Sequence, residues 1–213
     1  MDNKIKEKLK DIEALFLENH PKGFEDEEIL AIAKKFKPEK FEQEVHELFK
    51  EENFSQPEIV CENFSKIISK SPLISLFEKP KLRDAIKSMG MYQKDMFSIA
   101  LHDLLYGNQK EGFETLVEIL AEYKLAKWSL ITLIPYYLRR KKEYFVKPTT
   151  TKNILKYFEI KEIIYKPKPS YKFYKDYKKF LNELKKQTDK SLCRENAQFT
   201  GFMMIAFKMD IEQ

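Results

Sequence analysis

The residue types and spacing best suited to chemistry lie in Lys147-Pro148-Thr149-Thr150-Thr151-Lys152. Three hydroxyls and two ammonium groups stand there at the expected start of a helix, where unpaired backbone N–H groups and the helix dipole favour an anion. Arg139 and Arg140 precede them by a short loop, and guanidinium forks match phosphate oxygens better than lysine does. Lys166, Lys172 and Lys175 extend the same basic character downstream. Aromatic residues are interleaved with these cations, among them Tyr144, Tyr157, Tyr165, Tyr171 and Tyr174. Cations alternating with aromatic faces are the ingredients of a groove for RNA or single-stranded nucleic acid. The expected roles are phosphate contact for the cations, donation to phosphate by Thr149, Thr150 and Thr151, and base stacking by Tyr144 or Tyr165. A plainer reading stands beside each: threonines cap helices, lysine-rich faces are solvated, and tyrosines roof cores with their hydroxyls outward.

Charge is segregated along the chain. Residues 124–190 carry 19 Lys/Arg against 6 Asp/Glu, a net of +13, whereas residues 1–123 carry 18 against 25, a net of −7. The overall +5 conceals that division. It reads as an electrostatic footprint for nucleic acid or another polyanion, or for an acidic protein, and the acidic half makes self-association a further expectation.

Constellations for catalysis are missing from the pattern. There is no glycine-rich phosphate loop, no nucleophile elbow and no Cys/His ligand cluster, so neither catalytic residues, a metal nor a cofactor is expected. His46-Glu47 has Lys50 where a second zinc histidine would fall. His102-Asp103 suggests a base and its orienting acid, but neighbours on a helix point about 100° apart, so a half-buried histidine with a backbone partner is expected instead. His20, in a turn, and His46, on a helix rim, read as solvated. Four acids at Glu25-Asp26-Glu27-Glu28 complement the dipole of a following helix. Cys193 beside Arg194 lacks a positioned base, and Cys61 has no partner at metal or redox spacing. Two free thiols fit a reducing compartment, and the mixed charges of the first turns contain no signal-peptide core, which together suggest a cytoplasmic protein. The longest apolar run, Trp128 to Tyr137, is about half the roughly 20 residues that span a membrane, so no membrane partner is expected.

The elements that must position these residues are helical throughout. Five glycines in 213 residues disfavour a turn-rich β fold, and apolar residues recur at helical spacing. The expected architecture is an all-α irregular bundle of about ten helices, with one short extended segment near Ile160 to Lys166. It forms a single domain over 1–213, with a possible subdivision into an acidic part, 1–123, and a basic aromatic part, 124–213. Expected inward faces include Ile5, Leu9, Ile12 and Phe16; Ile29, Leu30, Ile32, Ala33 and Phe36; and Val60, Phe64, Ile67 and Ile68 with Ile59. Ser71-Pro72 reads as a short helix start, and Gly90 and Gly107 as left-handed helix ends. The helices Gln93 to Tyr106 and Trp128 to Leu138 read as the core, with Pro135 kinking the second or starting a new turn. Thr149 or Thr150 caps a helix that runs to Phe158, Ser170 caps a lysine-faced helix, and Asn196 caps an apolar last one. Non-catalytic binding of nucleic acid or polyanion through residues 139–190 is the favoured function. A helical interaction module or regulatory subunit is the alternative, and an enzyme for a phosphorylated small molecule comes third.

Overall fold

The computed structural model describes residues 2–36 and 38–212, apart from the side chains of 32, 35, 36, 38 and 208–212. Among the described residues there are eleven α-helices, three short 3-10 turns and no strand. The helices are α1 (Asn3–Asn19), α2 (Glu27–Phe36), α3 (Pro38–Leu48), α4 (Pro57–Lys70), α5 (Glu78–Ser88), α6 (Met91–Leu105), α7 (Gln109–Glu122), α8 (Trp128–Leu138), α9 (Pro148–Tyr157), α10 (Tyr171–Lys185) and α11 (Asn196–Glu212). The fold is all-α, as the periodicity requires. Two compact units divide it, and neither follows the 123/124 boundary. A terminal unit collects 1–35, 140–165 and 172–213, and a middle unit takes 36–139 with 166–171.

In the middle unit α4 is the pivot. Its Val60, Cys61, Phe64, Ile67 and Ile68 are buried, and it packs on α3, α5, α6 and α8. The helices α6 and α7 form a close hairpin, because Gly112 has no side chain to hold its backbone away from Ala100 and Leu104. All residues of α8 from Leu130 to Leu138 are buried, and the helix runs through Pro135. On α3, the Phe41 ring stacks on Tyr137 at 5.4 Å. The segment 166–171 is tied in by the Trp128 indole, which donates to the Lys166 carbonyl at 2.8 Å, and by the Tyr171 hydroxyl on Gln109 at 3.3 Å.

In the terminal unit α1 buries Leu9, Ile12 and Phe16 against α11, with the Phe16 ring edge-on to Phe202 at 5.2 Å. The end of α9 closes on the same helices. Lys4 and Lys8 each reach the Glu159 carboxylate at 2.7 Å, and Tyr157 and Lys8 exchange hydrogen bonds with each other's backbone carbonyls. On α10, Phe180 meets Phe158 at 6.0 Å. The N-terminal helix, with four lysines and four acids, therefore joins the basic C-terminal segments. By unit, the charges become 23 Lys/Arg against 18 Asp/Glu in the terminal unit and 16 against 16 in the middle one.

Several local expectations give way to tertiary packing. Residues 160–166 form no strand, since no neighbouring segment offers a ladder there. Ser71 starts no helix; its hydroxyl accepts from Leu73 N–H at 3.2 Å within a pair of turns. Gly90 is extended at φ −70° and precedes α6 as its N-cap, and Gly107 has no positive φ either. The left-handed ends fall on Lys124 and Glu159 instead, at φ 58° and 55°. Each is followed by a six-to-one hydrogen bond, Leu125 to Leu120 and Ile160 to Leu155, whose buried Leu125, Leu120 and Leu155 stabilise a turn normally given to glycine. On α2 only Ile29 is buried among the described side chains; Leu30 and Ala33 are exposed, and Ile32 and Phe36 lie outside the described side chains. Ile59 is also exposed. The expectations for Asn196 and the threonines shift by one position or more, since Asn196 is already helical and α9 begins at Pro148, whereas α10 begins directly after Ser170, where a cap was expected.

Two outcomes test this packing. Gly112→Ala overpacks the α6–α7 contact and lowers unfolding free energy by about 1–3 kcal/mol, measured by urea denaturation. Lysine contacts hold the Glu159 carboxyl down to about 2 from an ordinary 4.5. Its contribution is therefore complete above about 4.5 and lost as pH falls toward 2. The difference in melting temperature between Glu159→Gln and the parent protein shrinks over that interval.

Candidate nucleic-acid interface

The start of α9 is built by Pro148 at its first position, behind Lys147 as an N-cap that makes no side-chain cap. Proline has no N–H and Thr151 N–H bonds the Lys147 carbonyl at 2.9 Å. The backbone N–H groups of Thr149 and Thr150 remain at the open end. Thr149 is exposed and Thr150 partly so. Thr151 belongs to the core instead: it is 1% exposed, and its hydroxyl hydrogen-bonds Tyr177 of α10. One turn of helix rotates the third threonine inward, so the donation expected of it is not open to a ligand.

Lys147 and Lys152 are both exposed. Lys152 Nζ lies 5.3 Å from the centre of the Tyr165 ring, and that ring stands edge-on to Phe173 of α10 at 5.7 Å. Tyr165 thereby links the basic side of α9 to the start of α10. Along α10, Phe173, Tyr177, Leu181 and Leu184 face inward, and Lys172, Lys175 and Lys179 project outward with Lys186 just beyond. Lys172 is held by Asp176 at 2.6 Å.

The two arginines part company. Arg139 belongs to the middle unit, where its Nη2 donates to the Leu104 carbonyl at the end of α6 at 3.1 Å. Arg140 belongs to the terminal unit and pairs with Glu195 at 2.8 Å. Both guanidinium groups are thus engaged in internal contacts. Lys166 is exposed in the middle unit. Tyr144 has 0% exposure and donates its hydroxyl to Asn182 at 2.9 Å. Burial raises its pKa, and no face of the ring is left for a base.

Sequence reasoning passed over Glu143, the one acid of the run 139–152. It is 3% exposed, and its carboxylate accepts from the Tyr174 hydroxyl at 2.7 Å and from Lys178 Nζ at 2.9 Å. Tyr144 N–H donates to the same Tyr174 oxygen at 3.2 Å. Asn196 spans the other side: its Nδ2 donates to the Glu143 carbonyl at 3.2 Å, and its Oδ1 accepts from Lys185 Nζ at 2.8 Å. Desolvation lowers the Lys185 pKa. The signal present in the sequence was a lone acid amid cations, together with Tyr174 and Lys178 at i, i+4 on one helix face.

Occupied acids leave an electrostatic remainder. Glu143 is held by Lys178, Glu159 by Lys4 and Lys8, Asp176 by Lys172 and Glu195 by Arg140. Lys147, Lys156, Lys175 and Lys179 are exposed and have no carboxylate partner among the described residues.

The remaining candidates are structural. His102 Nε2 lies 3.3 Å from Glu51, while its Nδ1 is 3.7 Å from Asp103, beyond a hydrogen bond, so its partner is a distant carboxylate and not the backbone. His20 is 5% exposed, contrary to the solvated reading, because the turn through Gly23 folds it against the Phe16 ring at 5.2 Å. Glu27 and Glu28 occupy the first turn of α2, where they complement the dipole. Burial pushes the Cys61 thiol up to about 12 and raises Cys193, which disfavours the thiolate in both.

Glu143→Ala removes the carboxylate that accepts from Lys178 and from the Tyr174 hydroxyl, which keeps the Tyr144 carbonyl at 3.3 Å. The expected loss is about 3–5 kcal/mol in unfolding free energy, read by chemical denaturation, as for other broken buried pairs.

Comparison with known proteins gives no match: no family model, no curated protein and no solved structure is significantly similar to this chain.

Proposed function

We propose that the terminal unit binds nucleic acid, without catalysis, through the outward sides of α9 and α10. The observation that carries this reading is the set of exposed lysines left without carboxylate partners while the acids Glu143, Glu159, Asp176 and Glu195 are held in ion pairs. Unneutralised cations on adjoining helices attract a phosphate backbone, release its counterions on contact and need no fixed pocket. Lys147, Lys152, Lys156, Lys175 and Lys179 supply the charge. Thr149, Thr150 and the open N–H groups of α9 are the neutral donors beside them, and Tyr165 is the aromatic residue at this surface. Such contacts position a strand more than they read its sequence. The reading of a small phosphorylated substrate is the weaker one, because Thr151 is in the core and Arg140 is engaged by Glu195.

Fluorescence anisotropy with labelled single-stranded and duplex oligonucleotides, titrated between about 50 and 200 mM salt, tests the proposal. Affinity falls steeply with salt. Replacing Lys175 and Lys179 together by Ala flattens the slope of log affinity against log salt by roughly 0.7 per lost contact on a single strand or 0.9 on a duplex. Melting temperature stays near that of the parent, since both side chains are exposed. No binding at the lowest salt, or a slope indifferent to the two lysines, overturns it.

A further inference from the structure

Helix α6 is apolar on two sides, and the fold covers one of them. Phe97, Ala100, Leu101, Leu104 and Leu105 are buried against α4 and α7. On the opposite side Tyr92 and Ile99, 75% and 55% exposed, and the C-cap residue Tyr106, 41% exposed, follow at intervals of seven residues with Met96 half-buried among them; Tyr106 is fixed by its hydroxyl on the Phe49 carbonyl at 2.7 Å and its ring against Phe54. A seven-residue interval keeps side chains in nearly one line along a helix, the arrangement of a coiled-coil seam. A helix apolar all round is ordinarily buried all round. Asp95 stands beside this line on α6, and Asp103 falls within it between Ile99 and Tyr106. Exposed Glu58 and Glu62 on α4, and Glu118 and Glu122 on α7, add further negative charge on the two helices that adjoin α6. Of the lysines on these three helices, Lys66 and Lys70 pair with Glu44 and Lys94 with Glu58, which leaves Lys110 at the start of α7.

We propose that the Tyr92–Ile99–Tyr106 line of α6 is the docking seam for a partner protein's helix that carries an apolar stripe flanked by lysine or arginine. Apolar contact along the seam provides the attraction, and the acidic margins select a basic occupant and orient it. Pairing of α6 with its own copy would set Asp95 and Asp103 near their equivalents, a repulsive arrangement. A second copy's α10 offers lysines, but its apolar side chains Phe173, Tyr177 and Leu181 are buried in its own unit. The seam lies wholly within the middle unit and is independent of the polyanion face.

Two synthetic helical peptides with one shared leucine stripe, flanked by lysine in the first and glutamate in the second, test this on the full chain by fluorescence anisotropy. The lysine peptide binds one to one and at least about tenfold more tightly than the glutamate peptide. Ile99→Asp weakens it at least about tenfold, as for the loss of a central contact. Ile164→Asp, which alters a more exposed apolar residue of the terminal unit, leaves its affinity unchanged. Should Ile99→Asp lose its circular-dichroism signature, Tyr92→Asp at the more exposed position reads the same seam. Equal affinity for both peptides, or indifference to both seam variants, overturns the proposal. So does a concentration-dependent dimer in sedimentation velocity that Ile99→Asp dissolves, because a second copy would then be the occupant.

Discussion

Burial of the Glu143 carboxylate is the constraint on which the terminal unit depends. An ionised acid removed from water must recover its lost hydration from donors, and Tyr174 and Lys178 supply them from successive turns of α10. The same residue's carbonyl accepts from Asn196 at the start of α11. One short segment after α8 is thus joined to two helices that come much later in the chain. Tyr144 and Val146 follow it into the core. With the segment held, the cations that neighbour it in sequence are separated: Arg140 turns to Glu195, and Lys147 stays in solvent.

A second consequence concerns charge. In linear order the chain is acidic and then basic, but α1 returns to the basic segments and offers both signs to them. Lys4 and Lys8 take up Glu159, and the Glu13 carboxylate accepts from Asp189 N–H at 2.8 Å. The net of +13 over residues 124–190 becomes an excess of five cations in the terminal unit and none in the middle one. What matters for a polyanion is then the local surplus on α9 and α10, since exposed charges farther apart than about 10 Å are largely screened at 0.1 M salt. The middle unit, neutral in sum, differs in kind: its unsatisfied feature is apolar, along α6.

Helix identity was legible because apolar spacing reports which side of an element faces a core. The inward sides of α1, α4, α8 and α10 follow the pattern closely, and so does the lysine stripe of α10. Periodicity failed where another element had to be known. Ile59 and Ile99 fit an inward pattern on α4 and α6 yet face solvent, because no neighbour packs there. Gly90 and Gly107 looked like left-handed ends, while Lys124 and Glu159 took that conformation under buried leucine contacts. For the candidate site, Lys147, Lys152, Lys172 and Lys175 were readable as exposed cations, since a long charged side chain rarely has anywhere else to go. Tyr144, Thr151, Arg139 and Arg140 were not, because amphipathic side chains suit a core edge as well as a surface.

The stretch from Arg139 to Lys152 shows where the division falls. By itself the sequence determined an all-α chain, a helix running to about Phe158 and an excess of cations around its start, since these follow from local spacing and composition. Tertiary structure alone decided which of those cations remain available. A charge is neutralised by whatever acid stands within about 4 Å, and the acids that meet Arg140, Lys178 and Lys8 lie 55, 35 and 151 residues away in the chain. Distance along the sequence carries no record of that proximity.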